Sequence, residues 1–118
     1  MEYKAVVANA MWLRDAMIEE HGELHKAKET RHEYVRAVSV AAYDAHTAGH
    51  IDGKNSEQRK LQLEAFLRND DTCQKLYITA ANADADAALA TIERQYRQEH
   101  IKLVRAWLYQ EAGTVITL

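Results

Sequence analysis

Proline is absent from all 118 residues, so the chain lacks the residue that most strongly ends helices. The only strong helix-breaking segment is residues 49–56, which read Gly-His-Ile-Asp-Gly-Lys-Asn-Ser. Long stretches compatible with helix lie on both sides of it, and glycines at this point allow the chain to reverse. We therefore predict an all-α fold. The predicted fold is an antiparallel helical hairpin of two long helices with a short connecting helix, coiled-coil-like and assembling into a helical oligomer.

Cap residues and apolar periodicity set the predicted boundaries. We expect a single domain, 1–118, with a long helix over about 2–48, a turn at 49–55, a short helix over about 56–69, a long helix over about 72–112 and an apolar tail at 113–118. Asn55 and Ser56 are the predicted N-cap candidates of the short helix, and Gln58 lies three residues beyond Asn55, as in a capping box. Gly113 is placed to end the last helix as a left-handed cap.

Apolar residues at alternating spacings of three and four predict which helix faces are buried. In the first helix this spacing selects mostly apolar positions: Ala10, Leu13, Met17, Glu20, Leu24, Ala27, Arg31, Tyr34, Val38, Ala41 and Ala45. In the last helix it selects Ala85, Leu89, Ile92, Tyr96, Leu103 and Trp107. Small side chains dominate between Ala80 and Ala90, which would let a neighbouring backbone approach closely.

The two ends of the hairpin carry more apolar surface than one partner helix can cover. Antiparallel pairing brings residues 5–18 against residues 101–112, and both segments are apolar on more than one face. Exposed patches of this kind mark interfaces. We predict a homo-oligomer formed through residues 5–18 and 101–112. The alternative is that the short helix or the tail at 114–118 folds back over this surface.

Charge and composition narrow the function classes. A formal net charge of −3 argues against a generic nucleic-acid binder, without excluding a local basic patch. No apolar stretch approaches the roughly 20 residues needed to span a bilayer, and Asn9, Arg14 and Asp15 interrupt the pattern of a signal peptide. Cys73 is the single cysteine, so neither an intrachain disulfide nor a cysteine metal cluster is expected. These features predict a cytoplasmic protein without a membrane partner.

Histidine provides one candidate metal site. His21, His25 and His32 share a helical face with Glu29, and histidines one turn apart can chelate a transition metal. Glu29 and His32 also have the Glu-x-x-His spacing of di-iron bundles. A metal-binding helical bundle is therefore one hypothesis, and a solvated polar face is the alternative.

A cluster of glutamates provides a second candidate metal site. The segment Ile18-Glu19-Glu20-x-Gly22-Glu23-Leu24 resembles the Glu-Glu-x-x-Glu segment of MazG-type nucleotide pyrophosphohydrolases. That resemblance implies a Mg²⁺-dependent nucleoside triphosphate pyrophosphohydrolase in which Glu19, Glu20 and Glu23 hold the metal, since Mg²⁺ prefers oxygen ligands. The family's second motif, Glu-x-x-Asp, is absent from this chain. A solvated acidic turn is the alternative.

The turn carries a further resemblance. Its sequence Gly53-Lys54-Asn55-x-Glu57-x-Arg59, followed by a long helix rich in alanine and charge, is similar to small helical proteins of unknown function encoded by tailed bacteriophages. The resemblance implies a phage accessory or anti-defence protein and supplies no catalytic residues.

Basic residues near this turn and on the last helix are the candidate ligand-binding set. An anionic ligand such as a nucleotide would meet Lys54, Arg59, Lys60, Arg94, Arg97 and Arg105. The alternatives are a purely structural turn and an ordinary wet helix face. We therefore predict a non-enzymatic oligomer that binds or sequesters a host protein or an anionic nucleotide, with no cofactor. The alternatives are the Mg²⁺-dependent hydrolase and the metal-binding bundle.

Overall fold

A computed structural model describes residues 3–117, and the side chains of residues 4–110 within them. It contains three α-helices: α1 (Tyr3–Thr47), α2 (Ser56–Arg68) and α3 (Asp71–Thr117). The all-α prediction is confirmed, because no strand occurs within residues 3–117. The chain forms two compact units. Unit 1 comprises residues 1–24 and 86–118, and unit 2 comprises residues 25–85.

The predicted chain break is a glycine-capped helix end in unit 2. Gly49 adopts φ = +79°, the left-handed conformation that glycine tolerates best. Its N–H donates to the carbonyl of His46 at 3.2 Å, and the His50 N–H donates to that of Ala45 at 2.9 Å. This bond pair is the Schellman motif, which satisfies carbonyls that the ending helix leaves free. The breaker therefore ends α1 through its backbone conformation.

Of the two predicted N-cap residues of α2, Asn55 and Ser56, the structure has Asn55 as the cap. Asn55 has an extended backbone, and its Oδ1 accepts from the Gln58 N–H at 2.8 Å. The Gln58 side chain reaches back and accepts from the Lys54 N–H at 2.9 Å. The exchange resembles a capping box displaced by one residue, and it satisfies two donors at the helix start.

Helix α3 begins one residue before the predicted start and ends later than predicted. Asp70 Oδ1 accepts from the Cys73 N–H at 2.9 Å, which caps the helix at its N-terminus. The prediction that Gly113 ends the helix is wrong, since α3 continues through it to Thr117. A glycine inside a helix costs only about 1 kcal/mol relative to alanine, and it stops the helix only where the backbone turns left-handed. The predicted tail is thus helical over residues 113–117.

Small residues fill the interior of both units. The buried apolar side chains of unit 2 are Ala27, Ala41, Ala45, Ile51, Cys73, Ala80 and Ala83. Among the side chains that the structure describes in unit 1, those of Ala16, Ala87 and Ala90 are buried. The expectation that the small side chains of residues 80–90 allow close packing is confirmed, because Ala80, Ala83, Ala87 and Ala90 are all buried.

The inner face of α3 differs from the predicted one. Seven of its buried and half-buried positions in unit 1 follow an alternation of three and four: Ala87, Ala90, Arg94, Arg97, Ile101, Val104 and Leu108. Thr91 and Gln98 beside this row are also half-buried. The larger residues predicted to be buried are exposed instead: Leu89 by 65%, Ile92 by 60%, Tyr96 by 59%, Leu103 by 71% and Trp107 by 55%. Alanine permits a closer approach of two helix backbones than leucine does, so the alanine face turns inward.

The predicted buried positions of α1 are partly correct in unit 1. Leu13 and Glu20 are half-buried as predicted, but the intervening buried position is Ala16, and Met17 is 49% exposed. Leu24 is likewise 50% exposed, whereas Glu23 is half-buried. The predicted spacing of the buried positions is therefore correct, but every second predicted position lies one residue away from the observed one.

Candidate functional site

An ion pair lies inside unit 1, between its two helix segments. Arg94 Nε donates to both carboxylate oxygens of Glu20, at 3.1 Å each. The two side chains are 24% and 16% exposed, so the pair is largely removed from water. Arg94 also donates to the Gln98 side chain. The two hydrogen bonds from Arg94 thus pair the carboxylate charge of Glu20 within unit 1.

Arg97 joins the helix segments one turn further along α3. Its guanidinium donates to the backbone carbonyl of Trp12 and, at 2.8 Å, to Glu93 Oε1. It also lies 5.0 Å from the centroid of the Trp12 ring, within range of a cation–π contact. The Trp12 ring makes edge contacts with Tyr96 at 6.2 Å and His100 at 5.3 Å. Trp12 is thus fixed by cationic and aromatic neighbours.

A mainly apolar groove runs between the α1 and α3 segments of unit 1. Its volume is about 580 Å³. The apolar lining consists of Val6, Ala10, Leu13, Met17, Ile101, Val104, Leu108 and Tyr109. Arg14 and Arg105 also line it, and neither forms a hydrogen bond or ion pair among the side chains of residues 4–110. The groove therefore offers apolar walls and two uncompensated positive charges.

A second apolar surface of unit 1 lies on the opposite face of α3 from its buried positions. We call it the outer stripe, and it consists of Leu89, Ile92, Tyr96 and Leu103. At 3.6 residues per turn, these side chains point about 160° away from the mean direction of the buried positions. Helix α3 is therefore apolar on two faces, only one of which packs against α1 in unit 1.

The six predicted ligand-binding residues divide between the two units. Lys54, Arg59 and Lys60 lie in unit 2, whereas Arg94, Arg97 and Arg105 lie in unit 1. Of the unit 1 residues, Arg94 and Arg97 are engaged internally as described above, and Arg105 lines the groove. Anion binding by this set stays a prediction.

The turn that carries the phage resemblance is held by its own hydrogen bonds. Arg59 donates to the Gly53 carbonyl at 3.2 Å and to Ser56 Oγ at 3.4 Å. Gln62 Oε1 accepts from the backbone N–H groups of Asp52 and Gly53, at 3.1 and 2.8 Å. These contacts support the structural interpretation of the turn. Sequence analysis missed Gln62, which lies ten residues beyond its partner Asp52 and outside the motif.

The glutamates of the MazG resemblance lie in unit 1 but point to different surroundings. Glu20 is paired with Arg94, Glu19 is exposed, and Glu23 is half-buried with Oε2 lacking a hydrogen-bond partner. Within residues 4–110, no three His, Cys, Asp or Glu side chains converge on a point that could hold a metal ion. Coordination of Mg²⁺ by Glu19, Glu20 and Glu23 stays a prediction, and one copy of the chain does not bring them together.

The predicted histidine face is likewise not gathered into one site. His25 Nε2 lies 3.0 Å from Glu29 Oε1, one helical turn away, and both side chains are 65% exposed. His32 belongs to the same unit, and His21 belongs to unit 1. The only described contact in the predicted set is thus an exposed pair within one helix, and metal binding by these residues stays a prediction.

Cys73 is a buried thiol in unit 2. Burial raises its pKa above the ordinary value, and the hydrogen bond and negative charge of Asp70 raise the pKa further. A thiol of raised pKa holds its proton and is a poor nucleophile. An activated cysteine is therefore not part of this site.

Comparisons with known proteins identify no relative from which the fold or the site could be inferred. The chain matches no protein-family model, no curated protein and no solved structure. Within the described residues, no helix has the length and apolar character to cross a membrane.

Proposed function

We propose that the protein is a non-enzymatic helical binding protein that works as a homo-oligomer assembled through unit 1. The observation that carries this proposal is the outer stripe, a second apolar face on a helix whose first face is already packed. A water-exposed row of large apolar side chains marks a surface that another molecule covers.

The hairpin is proposed to be antiparallel. In unit 1, Trp12 contacts Arg97 and Glu20 contacts Arg94, so residue numbers rise along α1 while they fall along α3. Unit 2 shows the same trend by itself, with Arg31 bound to Asp84 and Tyr34 against Tyr77. These contacts support the arrangement predicted from the sequence.

The partner class is proposed from the resemblance of the turn at Gly53–Arg59 to small phage proteins. An accessory or anti-defence protein of this kind would bind a host protein or an anionic nucleotide. The Mg²⁺-dependent alternative has weaker support, because Arg94 neutralises Glu20, the central residue of its predicted ligand set.

Sedimentation velocity over a concentration series tests the assembly. We expect a species larger than the monomer at micromolar concentration, and we expect Leu103→Lys to weaken it. Leu103 is 71% exposed, and covering it contributes about 1–2 kcal/mol per copy, or roughly tenfold in affinity. Leu61→Lys, the same change at a 60% exposed position of α2, is the matched control and should leave assembly unchanged.

A monomer at every concentration would reject the proposal. Equal weakening by Leu103→Lys and Leu61→Lys would also count against it, because the effect would then not be specific to unit 1. Circular dichroism of both variants establishes that they remain helical.

A further inference from the structure

The outer stripe of unit 1 has the spacing of a coiled-coil seam. Its four members are 59–71% exposed. Two more exposed residues of α3, Glu99 and Ala106, lie in the same row. The row then has six positions separated by three, four, three, four and three residues: Leu89, Ile92, Tyr96, Glu99, Leu103 and Ala106. This is the spacing at which one helix packs along another, and the row lies on the face of α3 opposite the one that packs against α1.

The spacing of this row reads the same in both directions along the chain. A row with that property matches a second copy of itself when the two helices run antiparallel about a two-fold axis, because each half of the row then meets the other half. The axis passes through the middle of the row, between residues 96 and 99. The facing pairs across it are Leu89 with Ala106, Ile92 with Leu103 and Tyr96 with Glu99.

The central pair of this register is polar and complementary. Glu99 pairs with Lys102 at 3.2 Å, where the two side chains are 68% and 69% exposed, and an exposed pair of this kind contributes little. Tyr96 makes ring contacts with Trp12 and His100, and its hydroxyl has no hydrogen-bond partner among residues 4–110. A phenolic hydroxyl donates to a carboxylate, so each of the two residues supplies what the other lacks.

Other registers of the same row leave Glu99 without a polar partner. Sliding the antiparallel helices by one heptad sets Glu99 opposite Leu89 or Leu103 of the second copy. A parallel two-fold pair sets each residue at the level of its own copy, which brings the two Glu99 carboxylates together. A carboxylate in an apolar seam without a hydrogen bond is costly, and two facing carboxylates repel each other. Of these arrangements, the antiparallel one centred between residues 96 and 99 is the one that gives the charge a partner.

We propose that the outer stripe packs against the outer stripe of a second copy as an antiparallel two-fold pair of α3 helices, with the Tyr96 hydroxyl of each copy donating to Glu99 of the other. The inference rests on the proposed self-association, and it adds the orientation, the register and the polar contact that select a second copy as the partner of this face.

Cysteine cross-linking tests the orientation and the register. In a Cys73→Ala background, an equimolar mixture of Ile92→Cys and Leu103→Cys should form a mixed disulfide, because the two positions face each other and a disulfide needs Cα atoms within about 7 Å. Ile92→Cys alone should form little disulfide, since its two copies would lie about 16 Å apart along the helices. Mass spectrometry of the linked peptides identifies the joined residues. Leu61→Cys mixed with Leu103→Cys is the matched control, because Leu61 is 60% exposed on α2 in unit 2 and should give no mixed disulfide.

A double-mutant cycle measured by sedimentation equilibrium tests the polar contact. Tyr96→Phe keeps the ring and removes the hydroxyl, so it should raise the dimer Kd at least about tenfold, because each dimer contains two such bonds to a charged acceptor. In a Glu99→Leu background the same change should not raise the Kd, because the acceptor is already gone. Tyr43→Phe, at a 71% exposed tyrosine of unit 2, is the matched control and should leave the Kd unchanged. Circular dichroism and urea unfolding confirm that each variant folds.

The failures of the two proposals are distinguishable. A parent chain that stays monomeric at about 100 µM, a concentration that detects even weak dimers, removes the self-association itself. A parent dimer in which Ile92→Cys links to itself as readily as to Leu103→Cys overturns this register while self-association stands. A Tyr96→Phe change that leaves the Kd of the parent unaltered, or raises it equally in both backgrounds, overturns the polar contact with Glu99.

Discussion

The Glu20–Arg94 pair provides the sharpest test of how unit 1 is held together. Arg94→Ala removes both bonds to the carboxylate and leaves Glu20, only 16% exposed, without its counter-charge. Breaking a fully buried pair from one side costs about 3–5 kcal/mol. Because the two side chains retain 24% and 16% exposure, we expect about 2–3 kcal/mol of lost unfolding free energy.

Replacing both partners should be far less harmful. Glu20→Leu combined with Arg94→Leu removes both charges and fills the space with apolar groups, so its stability should lie within about 1 kcal/mol of the parent. A double-mutant cycle gives the coupling free energy between the two residues. Urea unfolding followed by circular dichroism at one fixed protein concentration measures all four proteins, with Arg36→Ala as an exposed control.

Two results would refute this reasoning. An Arg94→Ala variant that loses less than about 0.5 kcal/mol would behave like an ordinary surface variant, with the pair contributing nothing. A double leucine variant weaker than either single variant would show that the charges are individually needed. Adding Mg²⁺ tests the competing role, because a metal bound by Glu20 would stabilise the parent and not Glu20→Leu.

Three further predictions concern the glycines, the cysteine and assembly. Gly22→Ala should raise the unfolding free energy by about 0.5–1 kcal/mol, since no atom lies within 4 Å of the added Cβ in α1. Gly49→Ala should lower the unfolding free energy by about 1–2 kcal/mol, because Gly49 has a positive φ. Gly53→Ala should also lower it, because the added Cβ would lie 2.8 Å from the Cβ of Gln58. Urea unfolding that gives the same sign of change for all three glycine variants would contradict these expectations. Because folding raises the pKa of Cys73, the stabilisation from its protonated thiol is present below about pH 8.5 and is lost as pH rises through the folded pKa. The difference in unfolding free energy between the parent and Cys73→Ala should therefore shrink from pH 7 to pH 10, whereas a constant difference would exclude this linkage. Finally, Tm should rise with protein concentration if oligomer formation stabilises the fold, and a constant Tm from 1 to 100 µM would argue against it.

Local hydrogen-bond chemistry is what made the fold predictable from sequence. Gly49 and Asn55 act through backbone conformation and a side chain within three residues, so their roles can be inferred from neighbouring letters. Gly113 was misjudged because glycine alone does not decide between a cap and a weak helical position. The difference lies in whether the following residues supply the closing hydrogen bonds.

The phase of the buried face was less predictable. The predicted face of α3 included Leu89 and Leu103, whereas the packed face in unit 1 carries Ala87, Ala90, Arg94 and Arg97, followed by Ile101, Val104 and Leu108. An alternation of three and four through Arg94 and Arg97 is visible in the sequence. Sequence alone does not favour this face, because a buried arginine is expensive unless it is paired, and the partners of Arg94 and Arg97 on α1 become apparent only in three dimensions.

The two faces of α3 have different physical roles. A buried alanine removes little more than one methyl group from water, at about 0.8 kcal/mol per carbon, so Ala87 and Ala90 on the inner face mainly permit close approach of the helices. The outer stripe holds side chains that each gain about 1.5–3 kcal/mol when fully covered. Within unit 1, the outer stripe therefore contributes little by packing against α1, and the large apolar residues of α3 that do pack there are Ile101, Val104 and Leu108. Because long helices in water depend on the burial of an apolar face, the outer stripe favours association.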